Sequence, residues 1–95
     1  MANIIALIDA IGVASLVTED ALTKRDKVLA ALEDDRPIVI VYSDKNAIIS
    51  IRVIRPEALK LGKQSQALYV KAYDELRGET RNFRVDSILL IQEAA

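Results

Sequence analysis

The chain has 95 residues and a mass of 10.5 kDa; 52% of its residues are hydrophobic, 28% are charged, and the formal net charge is −1. A chain of this length buries roughly two-thirds of its unfolded surface, which is enough for one modest core and excludes a disordered polymer. It contains no cysteine and no histidine, which excludes disulfides and thiol catalysis, removes the commonest general base and metal ligand, and points away from most enzymes and from a resident cofactor.

The charge is unevenly spread. Residues 1–35 carry three basic and seven acidic side chains, and residues 36–95 carry ten and seven. The four aromatics, Tyr42, Tyr69, Tyr73 and Phe83, all fall in the second part. An acidic head therefore precedes a mildly basic, aromatic body, an imbalance too small to define a nucleic-acid protein by charge alone. The opening run to Val17 is apolar but lacks a basic leader and is interrupted by Asn3 and Asp9. It fits neither a signal peptide nor a spanning helix, so a soluble, cytoplasmic protein with no membrane partner is expected.

In chain order, Ile4, Leu7, Ile8 and Ile11 recur at helical spacing, with Gly12 as a break. Thr18 is placed to cap a second helix, with Glu19 and Asp20 in its first turn. Leu22, Arg25, Leu29 and Leu32 then fall on one face beside Val28, and Pro37 closes the segment. Residues 38–42 are a β-branched run and read as a strand. Residues 43–46 supply a turn, and 47–55 a second strand with Ile49, Ile51 and Val53 toward the core and Ser50 and Arg52 away from it. Pro56 is expected to take the chain out of the sheet. Residues 60–66 read as a polar loop around Gly62, and 67–74 as a third strand with Leu68, Val70 and Ala72 opposite Tyr69, Lys71 and Tyr73. Residues 79–85 and 87–92 complete five short strands, an α+β protein whose edges are best removed by closing the sheet into a small barrel. The expected division is a helical head, residues 1–36, and a barrel, residues 37–95.

The body resembles the WYL domain family. Ile40-Val41-Tyr42 is similar to the family's opening strand. Residues 52–59, Arg-Val-Ile-Arg-Pro-Glu-Ala-Leu, resemble its Arg-x-(Val/Ile)-x-Pro-x-x-Leu stretch. Residues 68–74, Leu-Tyr-Val-Lys-Ala-Tyr-Asp, stand where the family has Trp-Tyr-Leu-x-Ala-x-Asp. Residues 81–88, Arg-Asn-Phe-Arg-Val-Asp-Ser-Ile, resemble its closing Arg-x-Phe-Arg-Leu-Asp-Arg-Ile. Four matches in order across about 55 residues are more specific than any one of them. Leu68 replaces the name-giving Trp, Val70 the Leu, and Ser87 an Arg of the closing stretch. The resemblance implies an Sm-like, SH3-type barrel in a bacterial regulatory module that binds nucleic-acid fragments or nucleotide-like effectors and alters an attached activity. With no basic recognition helix in the head, a stand-alone form is expected.

The ligand residues implied are Arg52, Tyr69, Arg81 and Arg84, with Tyr42, Lys71 and Tyr73 behind them. Arginine offers phosphate a planar donor fork and tyrosine offers a base a stacking surface. The competing arrangement pairs these arginines with Asp74, Glu79 and Asp86 on a solvated face, and strand alternation separates Arg81 from Arg84. Gly62-Lys63-Gln64-Ser65 is similar to the end of a phosphate-binding loop, but Glu57 stands where that loop needs glycine. Asp34-Asp35 reads as a helix terminator and not a metal site. The apolar head has more large side chains than one helix face can bury, so a homodimer through residues 1–32 is expected. The alternative function is an oligomerisation or protein-docking module that uses this head and carries a degenerate ligand site.

Overall fold

The computed structural model describes residues 19–64 and 66–94. The expected helix before Gly12 and the rest of the apolar head to Thr18 lie outside them. Helix α1 (Ala21–Asp34) draws on strong helix formers, Ala, Leu, Lys and Arg. Its cap is Asp20 and not Thr18: the Asp20 carboxylate accepts the Thr23 N–H at 2.7 Å. That bond is also the main reason the Asp20 carboxyl lies below its ordinary value of 3.8. At the other end Asp35 turns left-handed, with φ 50°, while its N–H reaches Leu32 O and the Arg36 N–H reaches Ala31 O at 3.1 Å. These two bonds form the Schellman closure that satisfies the last carbonyls before Pro37.

The inward face of α1 differs from the expected stripe. Lys24, Val28 and Ala31 are buried, whereas Leu22 and Leu29 are 63% and 45% exposed. The cause is Lys24. Its ammonium donates to Val85 O at 3.0 Å and Ile88 O at 2.9 Å, so its stem can lie in the core with its charge satisfied.

Five strands follow: β1 (Ile38–Ser43), β2 (Ile49–Leu61), β3 (Leu68–Asp74), β4 (Glu79–Arg84) and β5 (Ile88–Glu93), with a 3₁₀ turn (Val85–Ser87) between the last two. They form one antiparallel sheet in the order β4-β3-β2-β1-β5. Among the described residues no ladder joins β4 to β5, so barrel closure is not found. Strand β2 runs straight through Pro56, contrary to expectation. Its pairing with β1 ends at Ile54, so beyond that point its one neighbouring strand among the described residues is β3, and a bulge between Pro56 and Ala58 absorbs the irregularity.

The core joins Val28 and Ala31 of α1 to Ile38, Ile40, Ile54, Val70, Phe83, Val85, Ile88 and Ile91 of the sheet and turn. The core face of β2 is the reverse of the one expected. Ile54 is fully buried, with Arg52 and Ser50 on its side of the strand; Ile51 and Val53 are half-buried on the opposite side, and Ile49 is exposed. The face expected for β3 holds: Val70 and Ala72 are buried, and Leu68 packs half-buried at the core's margin. Among the described residues no helix is long and apolar enough to cross a membrane.

Candidate ligand-binding surface

The seven candidate residues lie on the two faces of the sheet. On the core face, Arg52 and Arg81 meet at Asp74. The Asp74 carboxylate is fully buried and accepts from Arg52 Nη1 at 2.6 Å, while Arg81 Nη1 stands 3.7 Å from the same oxygen. Its second oxygen accepts the Leu76 N–H at 3.0 Å, and the Asp74 carbonyl accepts the Gly78 N–H at 2.8 Å. Gly78 has φ 67°, the left-handed conformation that closes the β3–β4 turn. Arg52 also donates to Ser50 Oγ at 3.2 Å and is only 11% exposed. Arg81 is 38% exposed and lies 5.9 Å from the centre of the Phe83 ring, against which Tyr42 packs edge-on at 5.1 Å. Two guanidiniums on one carboxylate leave a net positive charge at this edge of the core.

The opposite face of β2, β3 and β4 carries the other four candidates in rows across the strands. Lys60 pairs with Tyr69, and Tyr69 with Arg84. In the next row Ala58 faces Lys71 and Lys71 faces Asn82; in the third Arg55 faces Tyr73 and Tyr73 faces Thr80. Directly paired residues in an antiparallel sheet project to the same side, so these rows form one basic, aromatic surface. From strand geometry Tyr69 and Tyr73 are about 14 Å apart along β3, and Lys60 and Arg84 roughly 10 Å apart across it. Arg84 has a loose partner in Asp86 at 3.6 Å and Arg55 in Glu75 at 3.7 Å, all on exposed side chains, so both cations can be recruited at little cost. Beside Tyr69 lies an open groove of about 540 Å³ lined by Lys60, Leu61, Gly62, Lys63, Gln64, Tyr69 and Asn82.

The structure thus gathers Arg52, Arg81 and Tyr42 on one face and Tyr69, Lys71, Tyr73 and Arg84 on the other. The sequence reading did not single out Lys60, Asn82 or Arg55 for this surface, and used Asp74 only as a counter-charge. Lys60 and Tyr69 align only because β2 continues past Pro56 through the bulge, and no local pattern announced that continuation. Among the described residues no group of three or more acidic side chains is placed to hold a metal ion.

This is an α+β domain with one described helix packed on a five-stranded antiparallel sheet that carries a basic, aromatic face. The model of the WYL domain family matches residues 24–93, and the chain belongs to that family. A solved structure, proteasome accessory factor B/C (PafBC) of Arthrobacter aurescens, is similar at a TM-score of 0.67 and 25% identity over 74% of this chain. The match spans 11% of the PafBC chain. No curated protein matches the chain.

Proposed function

We propose that this WYL domain is a non-catalytic regulatory module that binds a nucleic-acid fragment or nucleotide-like anion on the exposed face of β2, β3 and β4. The observation that carries this reading is the cross-strand row Lys60–Tyr69–Arg84, extended along β3 by Lys71 and Tyr73. Tyrosine rings on a strand present flat surfaces to bases, and the flanking cations follow a phosphate backbone. Arg52 and Arg81 support this face from behind, because Asp74 ties β2 and β4 to the end of β3, and Tyr42 packs edge-on against Phe83 of β4.

The test is fluorescence anisotropy with a labelled short oligothymidylate. Affinity is expected to fall with salt, and Arg84→Ala to reduce the slope of log K against log salt by about 0.7, the contribution of one single-strand phosphate contact. Tyr69→Ala is expected to cost about 1–3 kcal/mol of binding, the range for loss of one base–aromatic stack. No binding at low salt overturns the reading.

A second reading rests on α1. Leu22 and Leu29 stand seven residues apart on the helix face turned from the sheet. Pairing with a second copy, within the homodimer proposed for residues 1–32, would cover them. A protein that sediments as a monomer at micromolar concentration sinks this reading and leaves the first intact.

A further inference from the structure

The ligand face is uneven along its length. At the Tyr69 end Lys60 and Arg84 flank one aromatic ring across the strands, and beyond that row Lys63 joins Lys60 in lining the groove. Farther along the positive charge thins: one row has Lys71, and in the next Arg55 stands 3.7 Å from Glu75 while Thr80 donates to Glu57 at 3.4 Å. The groove lining holds two ammonium groups and the amides of Gln64 and Asn82, and no carboxylate. This dense end is also where the surface stops. Strand β3 begins at Leu68, and the Gly62 N–H donates to Ala67 O at 2.7 Å, which holds the end of β2 beside the start of β3. A strand laid along Tyr73 and Tyr69 therefore reaches the groove where β3 ends.

Charge decides what suits that end. An internal phosphodiester carries one negative charge and is matched by one cation, as in the row of Lys71. A terminal phosphomonoester carries about −1.5 to −2 at neutral pH and three acceptor oxygens, which calls for several donors together, here the two lysines of the groove lining. We propose that the groove beside Tyr69 receives the terminal phosphate of the bound strand, so that the domain recognises a phosphorylated end and not merely single-stranded character. This rests on the ligand face proposed above and assigns to Lys63 a role in reading the terminal phosphate.

The experiment compares three labelled oligothymidylates of equal length, one with a 5′-phosphate, one with a 3′-phosphate and one with hydroxyls at both ends, the dye being placed internally. One of the phosphorylated strands is expected to bind about tenfold tighter than the hydroxyl-ended strand, as expected for gaining charge-assisted hydrogen bonds. Lys63→Gln is expected to erase that gain while hydroxyl-ended binding stays within about twofold, since one peripheral surface contact is removed; circular dichroism checks that the variant folds. Equal affinity for all three strands overturns this inference and leaves the ligand face standing. A phosphate gain that survives Lys63→Gln also overturns it, because the end is then read elsewhere. Failure of all three to bind removes the ligand face and this inference together.

Discussion

Asp74 sits where three requirements coincide: it ends β3, it accepts an N–H of the following turn, and it neutralises Arg52 inside the sheet. Removing one member of a buried ion pair strands the other, so Asp74→Ala is expected to cost about 3–5 kcal/mol in urea unfolding. Arg81→Ala is expected to cost less than about 1 kcal/mol, because Arg81 is partly exposed and farther from the carboxylate. Equal losses for the two would mean that Arg81, and not Arg52, holds the carboxylate. Asp20 acts by the same chemistry at the surface. Its folded pKa lies below 3.8, so its contribution to stability is full above that value and is lost as pH falls through the lower, folded one. The melting-temperature gap between the native chain and Asp20→Ala should therefore narrow below pH 4, and a gap that widens there would contradict the capping role.

At the scale of elements, α1 is fastened by Lys24 and by a second clamp on β5. Glu19 accepts the Ile91 N–H at 2.6 Å, and Lys27 donates to Ile91 O at 3.0 Å. Replacing Lys24 by Met keeps the apolar stem but leaves the Val85 and Ile88 carbonyls without this donor. Val85 O still accepts the Ile88 N–H, so a loss of about 1–3 kcal/mol is expected, the cost of weakening the satisfaction of buried acceptors. Leu29→Ala, on the outward face, should stay within about 0.5 kcal/mol in the monomer. The reverse order would restore the helix face expected from periodicity. That periodicity picked out Leu22 and Leu29 because it scores lysine as polar. The buried stem of Lys24 depends on two carbonyls more than 60 residues away, which no local window contains.

At the scale of the molecule, α1 and the sheet share one core. Val28 and Ala31 belong to the same core as Ile38, Ile54 and Ile91, and Lys24 holds the turn between β4 and β5. A chain cut to residues 37–95 loses all three of these contributions. It is expected to unfold without a cooperative transition in thermal melts, and a sharp two-state melt for that fragment would show that the sheet needs no helix.

Much of this protein was legible from residue order alone. Five strands and their turns follow from β-branched runs and punctuating Asp, Asn and Gly, because these are local preferences that neighbouring residues decide. The inward face of β3 was legible for the same reason: Val70 and Ala72 alternate with Tyr69, Lys71 and Tyr73, and alternation survives into the sheet. The WYL resemblance was carried by residues 40–88, inside the span that the family model matches. Tertiary structure alone decided the rest. It reversed β2, because burying Asp74 draws Arg52 to the core side and takes Ile54 with it. It carried β2 through Pro56, because that proline lies past the end of the β1 pairing, where one edge of the strand has no partner among the described residues to need its N–H. It divided the candidate residues between two faces, because a strand sends neighbouring side chains to opposite sides and only the register between strands determines which of them meet.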